Sequence, residues 1–273
     1  MNILNVSSPT ACLEYLDRIR FPARASADFP GPSLQTLQAL HEAHLLAVPF
    51  ENLSIHYGQP IILQEDALFN KIVRQHRGGF CYELNGLFAW LLRQLGFQVT
   101  LLSAGVANDS GSFSPEFDHL TLLVHQMDGV DWLADVGFGD SFQQPIRFEA
   151  EVEHTEADGR KYRLQREDDE SEKNTKRVYW ILQQFRDERW EPQYRFTLRP
   201  HQLTDFTERC HYQQTSPESH FTQKRICSLA TPTGRITLSD LRLITTMHGK
   251  REERVLQPEE YQGVLAEMFG IDL

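Results

Sequence analysis

The chain has 273 residues, 40% of them apolar, with 17 phenylalanines and four tryptophans, enough for one large core or two or three small ones. A net charge of −11 excludes generic nucleic-acid binding, which needs a basic surface against phosphates. With no apolar run of bilayer length, no leader pattern at Met1-Asn-Ile-Leu and four scattered cysteines (Cys12, Cys81, Cys210, Cys227), neither a membrane protein, a metal site nor a disulfide scaffold is expected, and a reducing cytoplasm is the natural setting.

The first region reads as helical. Ser8 and Pro9 offer an N-cap and a first-turn proline before Leu13, Leu16 and Ile19. Ser33 precedes Leu34, Leu37, Leu40 and His44 at helical spacing, and residues 66–75 carry Leu68, Ile72 and Val73. His41 and His44 read as packing or solvated histidines, because no acidic partner stands at metal-ligand spacing. Next comes Arg77-Gly-Gly-Phe-Cys-Tyr-Glu-Leu-Asn85, and then Leu87, Phe88, Leu91 and Leu95 before Gly96. This pattern predicts a helix starting at or near Cys81. A thiol there faces orphan N–H groups and the positive end of the helix dipole, which favour a thiolate. The paired glycines are expected to leave room for a substrate carbonyl beside the sulfur. Alone, such a cysteine is equally well a small buried hydrophobe.

From Phe97 the period changes to two. Phe97, Val99, Leu101 and Ser103 alternate, and His119 opens a β-branched run to His125. Asp128-Gly129 is a turn signal, after which Trp132 to Gly137 reads as a partner strand. Side chains alternate faces, so a turn centred on Met127 or Asp128 would bring His119 and Asp135 to one face. Cys81, His119 and Asp135 then form a nucleophile, a base and an orienting acid. Further strands are expected at 145–148, 162–164, 178–182 and 194–198, with residues 166–177 as an exposed charged hairpin or loop. A connecting helix follows at 203–211, then short strands at 225–229, 235–238 and 242–246 and a terminal helix at 258–269.

Several of these stretches together resemble the arylamine N-acetyltransferases. They are Val48-Pro-Phe-Glu-Asn-Leu53, the Cys81 motif, His119 before a strand, Asp135-Val-Gly-Phe-Gly139, Tyr194-Arg-Phe, Leu203-Thr-Asp-Phe206, Thr215-Ser-Pro-Glu-Ser-His-Phe221, Cys227-Ser-Leu and Gly234-Arg-Ile-Thr-Leu238. They run in order from about Leu45 to Thr246, most of the chain. The resemblance implies an α+β fold: a helical bundle (1–96), a β-barrel (97–200) and an α/β lid (201–273), with a papain-like Cys-His-Asp core. It implies N-acetylation of aromatic amines or hydrazines through an acetyl-cysteine, with acetyl-CoA as donor substrate and no tightly bound cofactor. Small molecules are the implied partners, and a monomer or weak homo-oligomer the expected state.

By the same resemblance, Glu51 and Arg77 brace the loop before the cysteine, although a weak surface ion pair is the competing reading. Phe50 and Phe138 would line the acceptor pocket or else fill the core. Gly139, Thr215, Ser216 and Ser219 would approach CoA, although Thr-Ser-Pro is equally a plain turn. In place of the family's Thr-Gly or Ser-Gly element before the histidine stands Ser114-Pro-Glu-Phe-Asp118, which sets Glu116 and Asp118 beside an anionic donor. Three other readings stay open: an amide synthase of the same fold, a papain-like protease or transglutaminase, and a binding module. The protease signature Cys-Gly-Ser-Cys-Trp is absent.

Overall fold

A computed structural model describes residues 9–23, 29, 31–108, 110–169 and 177–273. Ser8, the Met1-Asn-Ile-Leu stretch and residues 170–176 of the expected charged hairpin or loop lie outside these residues. The chain begins with α1 (Pro9–Arg18), α2 (Leu34–Ala47), the two-residue strand β1 (Phe50–Glu51), α3 (Leu53–His56) and α4 (Glu65–Phe69). α4 runs into one π-helical turn (Asn70–Arg74), and α5 (Cys81–Gln94) completes the helical part. Ser33 caps α2 as expected, its Oγ accepting the Thr36 N–H at 3.1 Å. Helix α5 is not amphipathic in its setting, because every residue from Cys81 to Leu92 is buried. It is the central rod of the molecule, and its polar members Glu83 and Asn85 find partners inside.

Eight antiparallel strands follow the helices and curl into a barrel-like sheet in the order β5-β4-β3-β2-β9-β8-β7-β6. They are β2 (Val99–Val106), β3 (His119–Met127), β4 (Val130–Ala134), β5 (Ile146–Arg147), β6 (His154–Thr155), β7 (Lys161–Asp169), β8 (Arg177–Arg186) and β9 (Arg189–Phe196). Residues 166–169 and 177, in the stretch expected as an exposed hairpin or loop, extend β7 and β8, which pair antiparallel as the hairpin reading requires. Strands β2 and β3 bury both faces. Leu101, Leu120, Leu122 and Val124 join the helical core, whereas Leu102, Ala104 and Leu123 join the barrel core with Tyr194 and Phe196.

A 3₁₀ turn (Leu203–Phe206), α6 (Thr207–Thr215) and α7 (His220–Gln223) lead to the last sheet. There β10 (Ile226–Thr231), β11 (Gly234–Ser239), β12 (Arg242–Met247) and β13 (Lys250–Val255) form a meander. The short β1 joins its edge, pairing Phe50 with Ser228 and Glu51 with Cys227. A 3₁₀ turn (Pro258–Glu260) and α8 (Tyr261–Phe269) cover one face of that sheet through Cys227, Leu238, Val264 and Leu265. The fold is thus α+β, with a helical bundle, a barrel and an α/β lid tied back to the start of the chain by β1.

Candidate active site

The segment before α5 is held by buried charge. Glu51 is fully buried and meets Arg77, 5% exposed, at 2.9 Å. Its second oxygen accepts the Leu53 N–H at 2.6 Å. Lys71 completes the group, 3.9 Å from Glu51 and 2.7 Å from Glu83. Glu83 in turn accepts the Phe80 N–H at 3.1 Å, which caps the first turn of α5. Burial pushes the Glu83 carboxyl up, and Lys71 offsets part of that rise. The surface-pair reading of Glu51 and Arg77 is therefore wrong: this is an interior ion network. The two glycines serve the same packing. A Cβ on Gly78 would lie 1.9 Å from the Pro49 carbonyl oxygen, and one on Gly79 2.7 Å from Glu83. The space they leave is filled by the protein, not held open for a substrate.

Cys81 is the first residue of α5 and is 4% exposed, with Sγ 4.0 Å from the Asp118 carbonyl oxygen. That carbonyl immediately precedes His119, the first residue of β3. Facing Cys81 from the other side is Gly137, where a Cβ would lie 2.8 Å from the Cys81 Cα. His119 Nε2 and Asp135 Oδ2 are 2.6 Å apart, and both residues are buried.

The register that joins them has an unexpected origin. The β3–β4 turn is the two-residue Asp128-Gly129, with φ of 55° and 77°, and Met127 pairs with Val130. A turn centred on that peptide bond would put His119 and Asp135 on opposite faces. A bulge between Val124 and Met127 corrects this, setting His125 and Gln126 against Asp131 alone. Gln126 takes φ of 54° and gives its N–H to Asp131 Oδ1 at 3.0 Å. Beyond it Leu122 pairs with Ala134, so Asp135 falls opposite Thr121 and diagonal to His119.

Asn85, one turn after Cys81, ties the helix to this pair. Its amide donates to Asp135 Oδ1 at 2.8 Å and to the Leu120 carbonyl at 2.6 Å, and its oxygen accepts the Val136 N–H at 2.9 Å. Asp135 Oδ1 also accepts the Gly137 N–H at 3.0 Å. Burial alone would push the Asp135 carboxyl up, but His119, Asn85 and Gly137 outweigh it and hold the group below its ordinary range. With Nε2 on Asp135, the other ring nitrogen, Nδ1, is left for a second partner.

The thiol itself departs from expectation. Burial pushes Cys81 well up, a backbone contact at Leu120 pulls the other way, and the carboxylates of Asp135 and Asp118 add to the rise. Burial and the two carboxylates thus oppose the thiolate that a helix start favours. Burial also pushes Cys12 up to about 11 and Cys210 to about 12. Proximity to the His119–Asp135 pair, not a depressed pKa, distinguishes Cys81.

Phe138 stands edge-on to His119 at 5.0 Å and to Tyr194 at 4.9 Å. It also lines a cavity of about 720 Å³ between residues 106–108 and 110–111 on one side and the β8–β9 hairpin on the other, walled by Trp190 and Arg186 among others. Phe50 lies elsewhere, half-buried against Phe221, which packs on Phe80. Asp118 is neutralised by Arg209 at 2.8 Å and bonded by Gln213, and Glu116 meets Arg177 at 3.5 Å, so neither stands as a bare anion. Gly139 takes φ of 87° just past Phe138. The hydroxyls at the end of α6 are used locally. Thr215 bonds the His211 carbonyl at 2.8 Å, and Ser216 accepts the Glu218 N–H at 3.3 Å. Ser219, 3% exposed, caps α7 and donates to Gln213 at 2.5 Å.

Two contributors to the site carry no mark of their role in the sequence. Asn85 lay inside the quoted motif, but an asparagine on a helix carries no sign of what it will touch. His41 fits the structural side of its expectation, being fully buried, but its sequence setting carries no sign that both ring nitrogens are bonded to the 135–143 loop.

A cysteine at the start of a buried helix, facing a histidine–aspartate pair on an adjoining antiparallel sheet, defines a papain-like thiol enzyme built for acyl transfer. Comparison with known proteins narrows that class. The N-acetyltransferase family model matches residues 33–273. The chain is 36% identical to the arylamine N-acetyltransferase of Mycolicibacterium smegmatis, over 95% of this chain and 91% of that one. It is 33% identical to the arylamine N-acetyltransferase pineal gland isozyme of Gallus gallus, over 95% and 93%. The solved arylamine N-acetyltransferase of Salmonella typhimurium superposes with a TM-score of 0.84 at 32% identity, covering 96% of this chain and 91% of that one. The chain belongs to the arylamine N-acetyltransferase family and is an acyltransferase.

Proposed function

We propose that this enzyme transfers the acetyl group of acetyl-CoA to aromatic amines and hydrazines through an acetyl-Cys81 thioester. The observation that carries the reading is the 2.6 Å His119–Asp135 bond, held beside the first turn of the Cys81 helix. The Cys81 S–H proton passes to His119 Nδ1, and the thiolate attacks the thioester carbonyl carbon. The Cys81 N–H, an unpaired donor of the first helical turn, stabilises the oxyanion. The carbon–sulfur bond to CoA breaks, and the departing thiolate takes the proton from His119. The arylamine then attacks acetyl-Cys81 and gives a proton to His119, which returns it to the released sulfur. Because one thioester replaces another, the first half-reaction has little thermodynamic cost.

In this reading Asp135 holds the imidazole and stabilises its charge, and the Glu51–Arg77 pair fixes the loop that delivers Cys81. Phe138 forms the aromatic wall nearest the reacting atoms, with Phe50 on the lid side. Gly139, Thr215 and Ser216 meet CoA, and Ser219 braces the surface they form. The helical bundle ends near residue 96 and the barrel near residue 200, and the enzyme works in a reducing cytoplasm. The test is an initial-rate study with acetyl-CoA and an aniline or arylhydrazine. Parallel double-reciprocal lines are expected, because CoA leaves before the amine is acetylated. Intersecting lines would reject the covalent route in favour of direct transfer.

A further inference from the structure

The loop from Asp135 to Gln143 carries the orienting carboxylate, Gly137 against Cys81 and Phe138 against His119. One side chain from the helical bundle, His41 of α2, holds both ends of that loop. Its Nε2 accepts the backbone N–H of Asp135 at 3.1 Å, and its Nδ1 donates to the carbonyl of Gln143 at 2.8 Å. The ring is fully buried, stacked on Phe142 at 5.7 Å with 10° between planes and edge-on to Phe88 at 6.1 Å. We propose that His41 is a positioning residue for catalysis: it clamps the 135–143 loop at both ends and thereby sets where the Asp135 carboxylate meets His119.

Two features support this beyond the distances. A backbone N–H can donate only to a ring nitrogen that carries no proton, so the clamp requires neutral His41 with its proton on Nδ1. Burial lowers the His41 pKa and keeps it neutral, although the Gln143 carbonyl and the charges of Asp135 and Glu156 act in the opposite direction. The two contacts are also eight residues apart along the chain, so one rigid ring fixes the span of the loop as well as its first residue. Asparagine or serine could satisfy one end, but not both.

The inference rests on Asp135 orienting His119, so the experiment separates the two ideas. Asparagine places its amide near the Nδ1 position and can keep the Gln143 contact, but it leaves the Asp135 N–H unpaired. Glutamine reaches the Nε2 position and can accept that N–H. With p-nitrophenyl acetate as acyl donor, H41N should lose roughly 10- to 100-fold in kcat/KM, the scale of a small misplacement of catalytic groups. H41Q should recover most of that loss even where the two variants melt at the same temperature. Equal kcat/KM for H41N, H41Q and the wild type, or losses that simply follow thermal stability, would overturn the proposal. Should H41N not fold, the wild type still decides the matter by long-range ¹H–¹⁵N spectra. A neutral His41 protonated on Nδ1 supports the clamp, and a proton on Nε2 refutes it. An inactive wild type with that Nδ1 tautomer intact would count against acetyl transfer and leave the clamp standing.

Discussion

Replacing Asp135 by asparagine is expected to lower kcat/KM by about four orders of magnitude, the loss that the same change causes in a serine triad. The geometry supplies the reason. Asp135 Oδ1 accepts two N–H groups, from Asn85 at 2.8 Å and Gly137 at 3.0 Å, while Oδ2 meets His119. An asparagine must turn its oxygen toward those two donors, which aims its NH₂ at His119 Nε2. The imidazole then has to carry its proton on Nδ1, the nitrogen that must receive the Cys81 proton. The negative charge that supports imidazolium is lost as well. Retention of more than about a tenth of the activity would show that Asp135 is structural and that the triad reading is wrong.

The same substitution carries a pH signature in stability. Asp135 titrates below its ordinary value in the folded protein, so its contacts stabilise the fold above the unfolded carboxyl pKa of about 4. That contribution is lost as pH falls through the lower, folded value. The part of the stability gap between wild type and D135N that comes from this carboxyl should therefore be fully present at neutral pH and be lost in acid.

The second large effect concerns Arg77. Arg77→Met leaves the fully buried Glu51 with the Leu53 N–H and with Lys71 at 3.9 Å. Removing one partner of a buried pair typically costs about 3–5 kcal/mol, because the other charge stays desolvated. For a chain of this size that corresponds to a Tm lowered by roughly 10 °C. The double variant Glu51→Met with Arg77→Met should regain part of the loss, since no uncompensated charge remains inside. A single variant that melts within about 2 °C of wild type would mean that the pair behaves as a surface ion pair.

Periodicity marks the longer helices and most strands, because burial on one face leaves a repeat in the sequence, but not the four-residue helices α3 and α7, which are too short to show one. It named α5 from Leu84, Leu87, Phe88, Leu91 and Leu95, but not that the remaining faces are buried too. β13 escaped because its residues, Lys250 to Val255, are exposed and mostly charged, which is how an edge strand avoids further pairing. β1 escaped because two residues carry no period at all. Within the site, residue types in order pointed to Cys81, His119 and Asp135, while the bulge that aligns the last two was invisible. An αL glutamine and an extra residue opposite Asp131 leave no local mark. The Cys81 thiol shows the limit of a local reading: a helix start favours a lowered pKa, and burial beside two carboxylates acts against it. His41 shows the same limit, since a histidine on an apolar helix looks alike whether it packs or clamps a loop 94 residues away.

Intact-protein mass spectrometry after mixing with acetyl-CoA tests the central claim most directly. One added acetyl group is expected, mapped by peptide analysis to Cys81 and removed when an arylamine is supplied. An unmodified protein that nonetheless turns over both substrates, an acetyl group on Cys12, Cys210 or Cys227, or an adduct that survives the amine would contradict it.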